Sequence, residues 1–176
     1  MRKLSLQELN RIDVAGFKKQ AKTPLVLVLD NIRSGLNVGS AFRTADAFAL
    51  EKIFLCGITA TPPHKEILKT AIGATDSMEW EYAASTVETI KKLRTTGYRI
   101  WAVEQAEGST ALQDFAAAKG DKIALIFGNE VKGVSKEVMQ TADGSIEIPQ
   151  FGTKHSLNVS VCLGVTVWEI FRKMRF

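Results

Sequence analysis

Two short stretches are almost wholly apolar: LVLVLD at 25–30 and KIALIFGN at 122–129. Runs of consecutive aliphatic residues leave no polar face to turn toward water. A strand of this kind must be covered on both sides, as the strands of parallel sheets are. YRIWAVE (98–104) has the same character, and KIFLCGI (52–58) and SIEIP (145–149) read as further strands. Parallel neighbours need crossover connections, and these are commonly helices. Helical patterns lie near 39–49, 63–72, 86–96, 110–118 and 134–141. In the third, Val87, Ile90 and Leu93 share one face, Thr86 stands where a cap is expected and Gly97 lies just past the end. The alternation predicts an α/β fold, a largely parallel sheet flanked by helices.

The last stretch, SLNVSVCLGVTVWEIFRKMRF, fits two periods. Leu157, Val159, Val161, Leu163, Val165 and Val167 alternate like a strand. Leu157, Val161, Val165, Trp168 and Phe171 form a helical stripe. The run is long for a strand and has no breaker, so it reads as a helix, apolar almost all round and therefore buried. Ser160 and Gly164 would admit another element closely. That element is either the chain's own core or a second subunit.

A chain of 176 residues suits one domain. The expected division is a short basic segment over 1–22 and a single domain over 23–176. No apolar stretch suggests a membrane span, and MRKLSLQELNRIDVAGFKKQ lacks the apolar core of a signal peptide, so a cytoplasmic protein is expected. Two cysteines, Cys56 and Cys162, sit in apolar surroundings and read as free thiols. With only two histidines there is no zinc pattern, and no metal is expected. A net charge of +4 permits a polyanionic partner without requiring one.

Polar residues gather where three of the strands should end, which is where open α/β sheets bind ligands. The first cluster is NIRSGLNVGSAFR (31–43), with Asn31, Arg33, Asn37 and Arg43 exceeding what a turn requires. The second is FGNEVKGVS (127–135). Gly128 and Gly133 have phosphate-loop spacing, but Val134–Ser135 follow instead of Lys-Ser or Lys-Thr, which excludes a nucleoside-triphosphate loop. The segment is either a strand-to-helix turn or a main-chain cradle for a small ligand. The third is IPQFGTKHSLN (148–158), where Pro149 ends a strand and Ser156 is placed to cap the final helix. No G-x-G-x-x-G follows a strand, and the adjacent His155–Ser156 make no hydrolase triad without G-x-S-x-G. Asp30 and Glu130 are both acidic and near strand ends, but nothing in the sequence sets their separation.

Taken together, N-x-R-x3-N-x-G-x3-R, then F-G-N-E-x2-G, then I-x-I-P followed by S-L-N-V-S at 156–160 resembles the TrmH (SpoU) family of RNA ribose 2′-O-methyltransferases, within the SPOUT superfamily. The motifs fall in family order over residues 31–160. The resemblance implies a parallel sheet whose C-terminal part is tied in a trefoil knot, with S-adenosylmethionine bound in the knot. It implies a homodimer with the last helix in its interface and active sites built from both subunits. It implies an RNA partner, tRNA or rRNA, with neither metal nor membrane. Carried over by position, the catalytic set is Arg43, Asn37, Glu130, Ser156 and Asn158. The cofactor-binding set is Val103, Gly128, Asn129, Gly133, Ile148 and Leu157. Glu104 and Gln105 depart from the small or hydroxyl residues of many relatives.

The chemistry expected is methyl transfer to a ribose 2′-hydroxyl, a weakly acidic nucleophile that needs positioning and charge stabilisation. With its helix beginning at 39, Arg43 stands near a helix N-terminus. A guanidinium does not give up its proton in a protein, so its expected role is to bind a phosphate or the 2′-oxygen. Asn37 is expected to orient Arg43 or the ribose, and Ser156 and Asn158 to shape the pocket. Glu130 is expected either to fix its loop or to pair with Arg43. Arg2, Lys3, Arg11, Lys18, Lys19 and Lys22 bind RNA or form a solvated face. The competing readings are a non-catalytic RNA-binding protein of the same fold and a methyltransferase acting on RNA bases.

Overall fold

The computed structural model describes residues 1–5 and 7–176. Seven strands form one sheet in the order β3-β2-β1-β6-β4-β7-β5, parallel at every pairing. They are β1 Thr23–Asp30, β2 Leu50–Cys56, β3 Trp80–Ala83, β4 Arg99–Val103, β5 Thr110–Ala111, β6 Ile123–Phe127 and β7 Gly144–Glu147. The helices are α1 Val14–Lys19, α2 Gly35–Ala47, α3 Lys65–Ala71, α4 Ala74–Ser77, α5 Thr86–Thr95, α6 Lys136–Thr141 and α7 Val159–Arg175.

This order accounts for the apolar runs. β1 lies between β2 and β6, and β6 between β1 and β4, so both are interior strands. Leu25, Leu27 and Leu29 enter one cluster with Phe42, Ile67, Leu163 and Val167. Val26 and Val28 enter a second with Ile90, Leu93 and Val138. Helices α2, α3 and α7 therefore cover one face, and α5 and α6 the other. Burying each of these aliphatic side chains stabilises the fold by about 1.5–3 kcal/mol, before the cost of ordering the chain.

Several expectations shift. Helix α2 begins at Gly35, four residues before the expected start, because Ser34 caps it by accepting from the Asn37 amide at 3.4 Å. Arg43 thus stands in the third turn, beyond the reach of the helix N-terminal dipole. Helix α5 is capped by Ser85, while the Thr86 hydroxyl turns inward to Asp30 at 2.6 Å. Residues 110–118 are not a helix. Thr110–Ala111 add a short edge strand to β7, and one 3-10 turn, Leu112–Asp114, buries Leu112 beside Phe115. The apolar spacing in this segment is met by that single turn. Strand β3 carries no apolar run, because WEYA is an edge strand with no fully buried residue.

The N-terminal basic residues are partly committed within the chain. Arg2 binds Glu8 through two contacts of 2.7 and 3.0 Å. Lys22 donates to the Phe17 carbonyl at 2.6 Å and lies over the Phe17 ring, which is itself buried in the core. Helix α7, expected to be buried, is only half covered, and its last turns carry the ion-paired Glu169, Arg172 and Lys173. Leu163, Val167 and Ile170 are buried against the sheet, while Val161, Val165 and Trp168 are 52%, 43% and 46% exposed. A single chain offers α7 one packing side only. Among the described residues, no helix is long and apolar enough to cross a membrane.

Candidate active site

The polar clusters all follow carboxyl ends of strands and so lie at one end of the sheet. Segments 103–105, 127–134, 146–150 and 155–159 enclose a cleft of about 720 Å³. All six expected cofactor positions line it: Val103, Gly128, Asn129, Gly133, Ile148 and Leu157. So do Glu130, Ser156 and Asn158 of the expected catalytic set. Asn37 and Arg43 do not.

The first cluster begins with a turn that explains Asn31. Its φ of +58° is left-handed, a conformation Asn tolerates better than most residues. Its amide group donates to Asp30 at 2.8 Å and its oxygen accepts from the Ile58 amide at 3.2 Å. Asp30 is 2% exposed and also accepts from Thr86 and from the Ser135 amide at 3.3 Å. This carboxylate ties the end of β1 to the starts of α5 and α6. It forms no catalytic pair with Glu130.

Glu130 joins the first and second clusters. Its carboxylate accepts from the backbone amides of Arg33 and Ser34 at 2.9 and 3.0 Å, and from the Asn37 side chain at 3.1 Å. Partial burial pushes its pKa up, but these donors outweigh that effect and hold it below the usual carboxylate value. Of the two roles expected for Glu130, the geometry is that of a loop anchor, with no contact to Arg43. Asn158 joins the third cluster: its Nδ2 donates to Asn37 Oδ1 at 3.3 Å. Its Oδ1 caps α7, accepting from the Ser160 amide at 2.9 Å. Ser156 is therefore not the helix cap. It is exposed on the cleft wall. Asn37 thus bridges Glu130 and Asn158, and its expected partner Arg43 is not among its contacts.

The second cluster is a folded-back loop. Asn129 and Gly133 exchange main-chain hydrogen bonds of 3.0 and 2.8 Å. The Asn129 side chain donates to the Asn31 carbonyl at 2.7 Å and accepts from the amides of Val131 and Lys132. A Cβ on Gly128 would overlap the main chain of residues 133 and 134, so glycine is required here by the fold-back alone. The sequence left open how Glu104 and Gln105 contribute. The Glu104 carboxylate accepts from the Val134 amide at 3.0 Å, and Gln105 donates to the His155 carbonyl at 2.7 Å. These two residues lace the second and third clusters together. Both were readable only as departures from a pattern, because their partners lie 30 and 50 residues away. Cys162 also lines the cleft, and burial pushes its thiol up to about 11.

Arg43 is exposed and faces a separate groove between α2 and α3, lined also by Ser40, Thr44, Phe48 and Lys69. Within one chain the expected catalytic residues are therefore split, four converging on the cleft and its rim and one standing apart.

Comparison with known proteins bears on the family and the fold. Residues 24–168 match the model of the SpoU rRNA Methylase family. A 23S rRNA (guanosine-2'-O-)-methyltransferase RlmB of Vibrio parahaemolyticus is 30% identical over 95% of this chain and 66% of its own length. Among solved structures, an AdoMet-bound rRNA methyltransferase from Sinorhizobium meliloti superposes with a TM-score of 0.80 at 29% identity, over 86% of this chain and 57% of that one. A structure solved to explain 2-OH methylation of C/U34 on tRNA gives a TM-score of 0.75 at 26% identity, over 86% of this chain and 97% of that one. The chain spans about two thirds of the length of the curated relatives it matches. The match covers all seven strands but for Thr23, and all three polar clusters, and the chain belongs to the SpoU rRNA Methylase family.

Proposed function

We propose that this protein transfers a methyl group from S-adenosylmethionine to a ribose 2′-hydroxyl of tRNA or rRNA. The observation that carries the reading is that the second and third strand-end clusters enclose one cleft while the first is braced to both of them, through the bonds of Asn37 to Glu130 and Asn158. Of the relatives above, one is a 23S rRNA (guanosine-2'-O-)-methyltransferase, one structure concerns 2-OH methylation of C/U34 on tRNA, and the rRNA methyltransferase was solved with AdoMet bound.

The cleft fits the cofactor in size and chemistry. Its volume lies within the range of about 300–1,000 Å³ typical of small-molecule sites. Val103, Ile148 and Leu157 offer apolar surface, while the folded-back 128–133 loop offers main-chain polar groups. When bound there, S-adenosylmethionine supplies an electrophilic methyl on a sulfonium. The residues of the chain supply position and charge. Glu130 holds the 33–34 turn, so that Asn37 and Asn158 present a fixed polar rim to the ribose. Ser156 lines the same wall. Arg43 stays charged throughout and stabilises negative charge developing on the 2′-oxygen, while phosphate or water accepts the proton.

The position of Arg43 outside its own chain's cleft supports an active site shared by two subunits. So does the exposed stripe of Val161, Val165 and Trp168 on α7, beside which Gly164 has open space. We read the protein as a homodimer packed through this stripe, each Arg43 serving the partner's cleft. We also read the C-terminal segment as threaded in the family's trefoil knot. Strand β7 lies between β4 and β5, and the 104–105 link is bonded to residues 134 and 155, which supports that reading. The catalytic domain is taken as 23–176, preceded by the basic segment 1–22, and its place of action as the cytoplasm.

The test has two parts. Calorimetry should show one S-adenosylmethionine site per chain, and nucleoside mass spectrometry of RNA from cells lacking the protein should show loss of a 2′-O-methyl mark. Absence of cofactor binding would point to an RNA-binding scaffold. Loss of a base methyl instead would point to a base methyltransferase.

A further inference from the structure

The groove between α2 and α3 is lined by two cations that have no ion pair among the described residues. It measures about 410 Å³ and is lined in part by Ser40, Arg43, Thr44, Lys69 and Thr70. Arg43 and Lys69 are both exposed, and neither has a hydrogen bond or ion pair among the described residues. Six other cations, Lys52, Lys91, Arg94, Arg99, Arg172 and Lys173, each contact a carboxylate within 3.3 Å, while Lys65, Lys92, Lys119 and Lys136 have no ion pair among the described residues. What marks Arg43 and Lys69 is that they come from two helices and line one groove. Two of the groove's three hydroxyls are committed, since Ser40 and Thr70 both donate to the Leu36 carbonyl at 2.9 Å. The two cations and Thr44 are left as donors.

The two helices that carry the cations are packed closely. A Cβ on Gly39 would overlap the Thr70 hydroxyl and the Ile67 carbonyl, so α3 lies directly against α2 at this point. Lys69 precedes Thr70 and Arg43 follows Gly39 by one helical turn. The glycine of the first motif thus lets a lysine from α3 and the arginine of α2 line the same groove. Two unpaired cations repel each other, and that arrangement is relieved when an anion sits between them.

We propose that this groove seats a phosphate of the substrate RNA backbone, with Lys69 acting beside Arg43 as a second phosphate-binding residue. The inference rests on the reading of the protein as an RNA-acting enzyme, and it adds a substrate contact outside the three motifs. The guanidinium offers a fixed fork to the phosphate and the ammonium a mobile point charge. A phosphodiester held there anchors the strand next to Arg43, which leaves the neighbouring ribose within reach of the same side chain.

The experiment compares wild type, Lys69→Ala, Lys69→Arg and Lys136→Ala, the last removing one charge from α6 on the opposite face of the sheet. Binding is read by anisotropy with two fluorescein-labelled unmodified transcripts, a tRNA and a domain of 23S rRNA, between 50 and 200 mM salt. Each lost phosphate contact should lower the slope of log affinity against log salt by roughly 0.7–0.9. Lys69→Ala should lose about that much and bind RNA several-fold more weakly, Lys69→Arg should recover most of the affinity, and Lys136→Ala should keep the wild-type slope. In methyl-transfer assays the Lys69→Ala defect should fall on KM for RNA, with S-adenosylmethionine affinity unchanged by calorimetry. Equal slopes for Lys69→Ala and Lys136→Ala, or no RNA binding by the wild type, would overturn the inference. Failure of the enzymatic reading looks different: no S-adenosylmethionine binding and no methyl transfer, whatever the salt slopes.

Discussion

Replacing Glu130 by Gln tests the cross-brace at its centre. The carboxylate accepts three donors, two of them main-chain amides in the 33–34 turn and the third the Asn37 side chain. Glutamine keeps the shape and one acceptor oxygen, but turns an NH2 group toward donors that need an acceptor. A hydrogen bond to a charged group contributes about 1.5–3 kcal/mol when buried. Glu130 is solvent-accessible, so water competes for it, and exposed ionic interactions are worth about 0–1 kcal/mol each. Glutamine's remaining oxygen keeps at least one of the three bonds, and losing the other two at about 0.5 kcal/mol each gives a destabilisation of roughly 1 kcal/mol near neutral pH. For a chain of this size that lowers Tm by about 2–4 °C. The pH dependence supplies an independent check. The folded-state pKa of Glu130 is depressed, so its contribution is fully present above the unfolded value of about 4.3 and is lost as pH falls through the lower folded value. Urea and thermal unfolding of wild type and Glu130→Gln, at pH 7.5 and at descending pH below 4.5, should show a gap that closes on the acid side. A gap that persists unchanged into acid, or no gap at pH 7.5, would refute the assignment of Glu130 as a charged anchor of the 33–34 turn.

Other outcomes follow from the same geometry. Arg43→Ala should retain S-adenosylmethionine affinity by calorimetry while losing most methyl transfer; full turnover would remove Arg43 from the reaction. Trp168→Glu places a charge on the exposed stripe of α7 and should shift the chain to monomer in sedimentation while leaving its circular dichroism intact. Asp30→Ala removes an acceptor from buried Thr86 and from the Asn31 turn, and should cost about 2–4 kcal/mol in denaturant unfolding. The Cys162 thiol, pushed up to about 11, should alkylate slowly at pH 8 and faster toward pH 11, with the rate read by mass spectrometry and suppressed by S-adenosylmethionine.

The sequence by itself determined the layered α/β architecture, since runs such as LVLVL and IALIF admit only a strand covered on both faces. It also determined which strand ends carry chemistry, because glycine, asparagine and charged residues stand out where the apolar runs stop. Local signals misplaced helix boundaries: Ser85 and Asn158 cap the helices assigned to Thr86 and Ser156, since competing hydroxyl and amide groups one or two residues apart look alike before a fold chooses between them. Only the tertiary structure decided which polar residues are scaffold and which face the site. Asp30 and Asn31 proved to be spent on the turn after β1, and Glu130 on the turn that opens α2. Arg43 and Lys69 came together because α3 lies against Gly39, and Glu104 found its partner 30 residues away. Burial pattern is a local property that repeats along the chain, whereas a site assembled from strand ends depends on which strands become neighbours, and no stretch of sequence carries that alone.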